Sequence, residues 1–351
     1  MPIRLKGRAA GAVALMILLG APAVAAQDTL RFAVVGDTPY TRQDSAFLWQ
    51  ELVPALQESD YPFIVHVGDF VAGADGCNDE KIAAWRDEIY SWKPGRTFYT
   101  PGDNEWTDCD RPKKRSDPNP GTPPARRVLE RNLGDPLPEL DRLDLLRRTF
   151  FPAPLDLPDG WRFVSQPNFP ENGRWIVNGI QFATVHMVST NNGRIQILMD
   201  DIQLALAQVA ARDEANRVWM TLLFREARKQ DAAAVVIATQ ADVTNPDGEG
   251  PCVGDNLMNC DAFSLFRDQL RRLARRFGKP VLLVHGDTNP YCLDKAFGGD
   301  AAPLLWRLNV SGDYYQPAAH ATEVTIAPGD KNAPFSARTL GENKRPAEGC
   351  D

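Results

Sequence analysis

Short apolar runs alternate with amphipathic stretches along most of the chain. Runs rich in β-branched and apolar residues predict strands at residues 30–35, 63–67, 96–100, 235–239, 280–285, 306–310 and 323–326, with a strand pair at 175–188 that turns at Asn178 and Gly179. Apolar residues at helical spacing predict helices at 44–57, 81–92, 200–229 and 261–277, and two short helices within 126–150. Strands that alternate with helices favour an α/β fold whose sheet is largely parallel.

The first residues have the pattern of an export signal. Three basic residues precede an uncharged apolar run at residues 9–20, and a stretch of small residues at 21–26 offers a cleavage site. We therefore expect a signal peptide at 1–26, a single mature domain at 27–351, and a periplasmic or secreted location. An uncleaved membrane anchor is the alternative, but the apolar run is shorter than the roughly 20 residues that span a bilayer. We expect no membrane span in the mature chain.

Charge and cysteine content fit an exported globular protein. The 351 residues carry a net charge of −7, and removal of a signal peptide with three basic residues would leave about −10. A net acidic chain argues against nucleic-acid binding, because phosphate backbones attract cationic surfaces. The six cysteines favour disulfides in an oxidising compartment, although their pairing stays open. Cys252 and Cys260 flank one short loop and are candidates to close it.

Four predicted strands end in the same dipeptide, a glycine followed by an aspartate. These dipeptides are Gly36-Asp37, Gly68-Asp69, Gly102-Asp103 and Gly286-Asp287. A single Gly-Asp after a strand is a common turn, but the carboxyl ends of parallel strands lie along one edge of a sheet, so four such turns would bring four carboxylates together. Like charges repel one another there unless protons or cations compensate them. The pattern therefore predicts a centre for divalent cations at this edge.

The order of these motifs resembles the calcineurin-like metallophosphoesterase superfamily. Five short blocks carry the resemblance: Gly36-Asp37-Thr38-Pro39, Gly68-Asp69, Gly102-Asp103-Asn104-Glu105, Thr239-Gln240-Ala241-Asp242 and Gly286-Asp287-Thr288-Asn289. The family pattern runs D-x-H, GD, GNH[DE], a later His, and GHxH in the same order. The resemblance implies a metallophosphoesterase-like four-layer α-β-β-α sandwich, in which two mixed sheets are flanked by helices.

The resemblance also implies which residues would bind metal. Asp37 would bind the first ion and Asp69 would bridge two ions. The other ligand positions are held by Asp103, Gln240, Asp287 and Asn289. Asn104 occupies the position of the family's histidine beside the leaving group, which makes it a candidate catalytic residue. Glu105 matches the acid that follows it and is a candidate supporting residue.

The chain departs from the family pattern at every expected histidine. Pro39 stands at the first-block position and cannot bind a metal, and Asp, Asn or Gln stands at the others. Oxygen ligands shift the preference towards Mn²⁺, Mg²⁺ or Ca²⁺ and away from Zn²⁺ or Fe. We therefore expect weaker binding of one or two divalent metal ions than in a site that contains imidazoles.

Three histidines and two cysteines near these blocks are further candidates. His66 and His285 each precede a Gly-Asp turn and are candidate replacement acids or ligands, with buried structural histidines as the alternative. His186 follows a strand whose end could face the same edge, as a supporting residue. If the resemblance holds, the loops that carry Cys77 and Cys109 are neighbours, and a disulfide between them would support the rim of the site.

The resemblance implies an exported hydrolase that cleaves a phosphate ester with a metal-activated water. A small-molecule or nucleotide phosphate ester is the expected substrate, and no feature indicates an oligomeric state. The missing imidazoles leave two other interpretations open: a catalytically reduced relative that binds a ligand or partner, and a domain that calcium stabilises. The sequence contains no phosphate-binding loop, dinucleotide-binding glycine motif or nucleophile elbow, which disfavours those chemistries.

Overall fold

Two mixed β-sheets form the centre of the molecule. The computed structural model describes residues 29–73, 77–109, 137–197, 199–246, 248–312 and 321–350. The first sheet has the strand order β12-β11-β1-β2-β3. Its strands are β1 (Leu30–Val35), β2 (Ile64–His66), β3 (Thr97–Tyr99), β11 (Thr322–Ile326) and β12 (Phe335–Thr339). The first three are parallel, and β11 and β12 add to the β1 side in antiparallel pairs.

The second sheet has the strand order β4-β5-β6-β7-β8-β10-β9. Its strands are β4 (Val164–Gln166), β5 (Phe169–Val177), β6 (Ile180–Thr184), β7 (Ala234–Ala238), β8 (Val281–His285), β9 (Cys292–Asp294) and β10 (Leu305–Asn309). The central strands β6, β7, β8 and β10 are parallel, whereas β4, β5 and β9 extend the edges in antiparallel pairs. The predicted hairpin turn lies between β5 and β6, where Asn178 and Gly179 have φ values of 48° and 72°.

Helices cover the outer face of each sheet. On the first sheet lie α1 (Arg42–Phe47), a π-helical turn (Leu48–Leu52), α2 (Val53–Glu58), α3 (Asp79–Ser91) and α4 (Glu139–Phe150). On the second sheet lie α5 (Ile202–Lys229) and α6 (Ser264–Phe277). A short 3-10 helix (Asp159–Trp161) precedes β4. None of the described helices combines the length and the hydrophobicity of a membrane span.

Local signals in the sequence explain where several helices begin and end. Thr41 and Asp44 form a reciprocal capping box at the start of α1. The Asn78 side chain accepts a hydrogen bond from the Lys81 N–H at 2.9 Å and caps α3. Gly278 has a φ of 69° and ends α6 in the left-handed conformation that glycine adopts without a steric penalty.

The alternation of side chains along β1 shows how the layers are made. Phe32 and Val34 point into the core between the two sheets, whereas Ala33 and Val35 face the helices. Aromatic rings fill the central core, and the rings of Phe98 and Trp175 stack at 3.5 Å. The predicted four-layer α-β-β-α sandwich with two mixed sheets is therefore confirmed. Both faces of each sheet are buried, so the central strands consist of nearly continuous apolar runs.

The sequence pattern missed several edge strands. It predicted none of β4, β9 and β12, and it placed the start of β5 six residues too late. These segments lie at sheet edges, where the chain pairs with only one neighbouring strand and the apolar periodicity of the sequence is weak. Only α4 is seen in the described part of the region for which two helices were predicted. The predicted signal peptide and residues 110–136 lie outside the described residues.

Three disulfides connect the described segments. Cys77 pairs with Cys109 and Cys252 with Cys260, which confirms both predicted pairs. The third bond joins Cys292 on β9 to Cys350 and ties the C-terminal segment to the edge of the second sheet.

Candidate metal centre

The carboxyl ends of parallel strands from both sheets meet at one end of the sandwich. Backbone hydrogen bonds link the loops that follow these strands: the Asp37 N–H donates to the Gly68 carbonyl at 3.2 Å. The Gly286 N–H donates to the Gln240 carbonyl at 3.0 Å in the second sheet. The loops that carry the five sequence blocks are therefore held side by side, as the parallel-sheet argument predicted.

Three aspartates form the centre of this edge. Carboxylate oxygens of Asp69, Asp103 and Asp287 all lie within 4.8 Å of one another. Asp37 lies directly beside them, and both of its carboxylate oxygens accept a hydrogen bond from the Asp287 N–H at 3.0 Å. Four carboxylates that are distant in sequence thus converge. The side chains of Asp37, Asp69 and Asp103 are each only 3% exposed.

The backbone at these aspartates has an unusual conformation. Asp37, Asp69 and Asp287 have φ values of 53°, 61° and 74°, in the left-handed region. Aspartate tolerates this region better than most residues, but such a conformation costs roughly 1–3 kcal/mol and persists only where the surroundings impose it. Strain of this kind is concentrated at functional sites, and here it turns each carboxylate towards the same point.

The glycines before the aspartates are required by close packing. A Cβ atom on Gly102 would overlap the Asp69 carboxylate, and one on Gly286 would overlap the Asp37 carboxylate. A Cβ atom on Gly68 would overlap the backbone of Gly102. The close approach is what these contacts demand, because the left-handed φ values lie mostly on the aspartates.

Neutral polar side chains surround the carboxylates. The Gln240 amide donates to Asp69 Oδ2 at 3.1 Å and to Asp103 Oδ1 at 3.2 Å, while its oxygen accepts the Ser189 N–H at 2.8 Å. Gln240 therefore presents its NH₂ group, rather than its oxygen, to the cluster. The Asn104 N–H donates to Asp69 Oδ1 at 3.2 Å.

A cleft of about 660 Å³ opens above the cluster. We call it the acidic cleft; its wall includes Tyr40, Asp69, Asp103, Asn104, Ser189, Asp287 and Asn289. The Tyr40 hydroxyl lies 3.3 Å from Asp69 Oδ2 and accepts a hydrogen bond from the Asn104 side chain at 3.2 Å. Asn289 is exposed on the cleft wall. Three of the five sequence blocks therefore contribute to the lining of the cleft.

Burial and mutual repulsion dominate the electrostatics. Burial raises the pKa of Asp69 and of Asp287 well above the usual range, and the neighbouring charge of Asp103 raises both further. Burial also raises the pKa of Asp37 to about 7, against the lowering effect of the Asp287 N–H. Without a cation, the cluster must therefore retain protons near neutral pH.

These residues fit a hard divalent cation. The donors are buried carboxylate oxygens, which are the ligands that Mg²⁺, Ca²⁺ and Mn²⁺ prefer. A cation would replace the protons that the raised pKa values imply, and the left-handed backbone already aims the oxygens at one point. Asp69, Asp103 and Asp287 are the residues that would hold it, and Asp37 supports them from the side.

Glu105 lies behind the cluster as a buried support. Its two carboxylate oxygens accept the Phe70 N–H at 3.0 Å and the Gly102 N–H at 2.9 Å, which connects the loops after β2 and β3. Burial raises the pKa of Glu105 to about 8. Glu105 therefore links the loops that carry Asp69 and Asp103.

The three candidate histidines all lie outside the acidic cleft. His66 is packed among Phe70, Trp92 and Tyr99, and its Nδ1 accepts the Gly68 N–H at 3.0 Å. Burial lowers the pKa of His66 to about 3, so its ring is neutral. His285 Nδ1 donates to the Gly286 carbonyl at 2.8 Å, and its Nε2 lies 3.9 Å from Asp242.

His186 belongs to a separate buried network. Its Nδ1 lies 2.9 Å from Glu171 Oε1, and Arg147 donates to the same oxygen at 2.6 Å. Burial and the charge of Arg212 lower the pKa of His186 to about 4. The network lies behind the cleft, between β5, α4 and α5.

Sequence reasoning missed Tyr40 and Ser189. Tyr40 directly follows the first block, so its place in the chain was a usable signal. Ser189 lies in a loop after β6 that matched no block, and only the pairing of β6 with β7 brings it to Gln240. The strand order of the second sheet was therefore needed to find it.

Comparisons with solved structures identify proteins of similar fold. The chain aligns with the structure of PhoD over 92% of its own length and 74% of that chain, at 10% identity and a TM-score of 0.47. It aligns with the purple acid phosphatase PPD1 from yellow lupin over 91% of its length and 53% of that chain, at 9% identity and a TM-score of 0.41.

A third similar structure is the NAD nucleotidase NadN of Haemophilus influenzae, with 10% identity, coverage of 89% of this chain and 49% of that chain, and a TM-score of 0.39. No protein-family model matches the chain, and no curated protein is significantly similar to it in sequence. At these identities the similarity concerns the fold alone, and the chemistry of the site has to be judged from its own residues.

Proposed function

We propose that the chain is a phosphoesterase that depends on a divalent metal ion, acts outside the cytoplasm, and hydrolyses the phosphate ester of a small molecule or nucleotide. The convergence of Asp69, Asp103 and Asp287 within 4.8 Å at the floor of the acidic cleft carries this proposal. Such a cluster is costly unless a cation compensates it, and the open cleft above it leaves room for a substrate. Three disulfides among the described residues support a location in an oxidising compartment.

The aspartates have distinct roles in this proposal. Asp69, Asp103 and Asp287 hold one divalent ion, and Asp37 holds the Asp287 backbone in position through both of its oxygens. When bound, the ion supplies the positive charge that polarises a phosphate ester and lowers the pKa of a water molecule. Oxygen-only coordination favours Mn²⁺, Mg²⁺ or Ca²⁺ over Zn²⁺ or Fe.

Tyr40 and Asn104 orient the substrate. Burial and the charge of Asp69 raise the pKa of Tyr40 well above its usual value, so the hydroxyl keeps its proton and can donate a hydrogen bond. The Asn104 side chain holds that hydroxyl in place at 3.2 Å and is itself fixed by the Val71 carbonyl at 2.9 Å. Donors fixed in this way stabilise the charge that develops on phosphate oxygens.

The decisive experiment measures hydrolysis by the purified chain. The substrates are p-nitrophenyl phosphate and bis(p-nitrophenyl) phosphate, each with Mg²⁺, Mn²⁺, Ca²⁺ or Zn²⁺. We expect turnover that EDTA removes, that Mn²⁺ restores and that Asp69→Asn abolishes. Asp300→Asn is the matched control, because this aspartate is exposed and lies outside the cleft. It should leave the rate unchanged.

A different result would favour the other interpretations. Equal background rates with every ion would refute the enzymatic proposal. If the melting temperature then still falls on addition of EDTA, the site binds metal for stability or for recognition. If neither rate nor melting temperature responds, the carboxylates do not form a metal centre.

A further inference from the structure

Ser189 connects the two sides of the candidate metal centre. Its hydroxyl donates to Asp103 Oδ2 at 2.5 Å. Its N–H donates to the Gln240 oxygen at 2.8 Å, which turns the Gln240 NH₂ group towards Asp69 and Asp103. One residue thus contacts the Asp103 carboxylate directly and sets the direction of the amide that lies between Asp69 and Asp103.

Ser189 is held there by a rare backbone conformation. The next four residues, Thr190 to Gly193, all have positive φ values of 57°, 54°, 56° and 75°. Left-handed residues normally occur singly, and a β-branched threonine in this region is uncommon. Four in succession form a left-handed helical turn that the chain would not adopt without strong support. We call this segment, residues 189–193, the left-handed turn.

Buried contacts support the left-handed turn from every side. The Asn191 amide donates to the carbonyls of Met258 and Cys260 at 2.9 Å and 2.8 Å. The Asn192 oxygen accepts the Val188 N–H at 3.2 Å. A Cβ atom on Gly193 would lie 2.6 Å from the Trp106 ring, so no larger residue fits. The fold thus maintains a strained conformation that places the Ser189 hydroxyl at the candidate metal centre.

We propose that Ser189 is a positioning residue whose hydroxyl holds the carboxylate of Asp103 in the orientation that binds the metal ion. This inference rests on the proposed metal centre and goes beyond it, because no sequence block contains Ser189. Groups that hydrogen bond to metal ligands orient them before the ion arrives, and their loss typically weakens metal binding about 10-fold to 100-fold.

The test is a calorimetric titration of the metal-free chain with Mn²⁺. We expect Ser189→Ala to weaken Mn²⁺ binding by about 10-fold or more, because the Asp103 carboxylate loses the hydroxyl that holds it. Ser189→Thr keeps the hydroxyl at a residue that borders the acidic cleft, and it should bind Mn²⁺ nearly as tightly as the wild type. Ser336→Ala is the matched control, since that serine is exposed on β12 and far along the chain from the site. It should not change the affinity.

Each outcome decides between a specific and a merely structural role. The proposal is overturned if Ser189→Ala binds Mn²⁺ as tightly as the wild type, or if Ser189→Thr binds as weakly as Ser189→Ala. Melting temperatures of the metal-free variants show whether any loss of affinity reflects unfolding. If the wild type binds Mn²⁺ but hydrolyses neither phosphate ester, the proposed function fails while the ranking of the variants still decides the role of Ser189. If the wild type binds no Mn²⁺, both proposals fail.

Discussion

Replacement of Asp287 by asparagine should stabilise the metal-free protein and reduce the stabilisation that Mn²⁺ provides. Asp287 belongs to the carboxylate trio. The substitution is nearly isosteric, so packing should change little. What it removes is one negative charge from a buried cluster.

The distances set the size of the effect. Two like charges 4.8 Å apart repel each other by about 3.5 kcal/mol at an effective dielectric constant of about 20. Asp287 faces two such neighbours, but protons retained by the cluster already relieve part of this repulsion. We therefore expect Asp287→Asn to raise the free energy of unfolding of the metal-free protein by about 2–4 kcal/mol near pH 8.

Urea denaturation, followed by tryptophan fluorescence, measures this change. In EDTA the variant should unfold at a higher urea concentration than the wild type. Excess Mn²⁺ should stabilise the wild type by about 2.7 kcal/mol at 100 times the dissociation constant. The variant should gain less from Mn²⁺, because it has lost one of three carboxylate ligands.

Two results would refute this reasoning. One is a variant that is less stable than the wild type in EDTA, since repulsion would then not dominate the cluster. The other is a variant that gains as much from Mn²⁺ as the wild type does. Asp300→Asn, at an exposed position outside the cleft, should leave both values unchanged.

Three further predictions concern the support of the site. Gly102→Ala should destabilise the protein by about 1–3 kcal/mol and weaken Mn²⁺ binding, because its Cβ would overlap the Asp69 carboxylate; urea denaturation and calorimetry measure both. Replacement of both Cys77 and Cys109 by alanine should lower the free energy of unfolding by about 3–4 kcal/mol, since that disulfide closes a separation of 32 residues. Burial raises the pKa of Glu171, but its histidine and arginine partners outweigh this and lower it to about 2. Because that folded-state pKa lies below the ordinary value of 4.5, the partners of Glu171 add about 3 kcal/mol to the free energy of unfolding above pH 4.5. In the wild type this contribution should disappear as the pH falls from 4.5 towards 2. Glu171→Gln has no carboxyl to titrate, so it should not show this loss.

Matched control variants separate these effects from a nonspecific loss of stability. Gly329→Ala should be neutral, because nothing lies within 4 Å of the added Cβ. Loss of the Cys252–Cys260 disulfide should cost only about 2–3 kcal/mol, since it closes a separation of 8 residues. Glu348→Gln, at an exposed position, should leave the acid denaturation profile as it is in the wild type. Equal losses in a variant and its control would contradict the corresponding prediction.

The sequence alone determined the class of fold and the direction of the chemistry. Apolar runs such as Leu30–Val35 and Val281–His285 are long enough and apolar enough to predict buried strands, and amphipathic segments between them predict covering helices. The repeated Gly-Asp dipeptides predicted a cationic centre, because parallel strands all end at one edge. These inferences use only local periodicity and a general property of parallel sheets.

Tertiary structure decided which residues actually meet. Sequence spacing could not show that His66 is enclosed by aromatic rings, or that His186 pairs with Glu171 away from the cleft. Nor could it show that Gln240 offers its NH₂ group to the carboxylates, because that orientation depends on the Ser189 N–H. Hydrogen-bond direction and burial are set by neighbours that lie far apart in the chain.

Ser189 shows where prediction from the sequence ends and tertiary structure decides. Its own segment carries no motif, and Thr190 is a poor candidate for a left-handed conformation. The conformation exists because the Asn191 side chain binds the carbonyls of Met258 and Cys260, and because the Trp106 ring packs against Gly193. The conformational preferences of neighbouring residues determine helices and strands whose contacts are local. A strained turn forms only where tertiary contacts outweigh those preferences, and such contacts exist only in the folded chain.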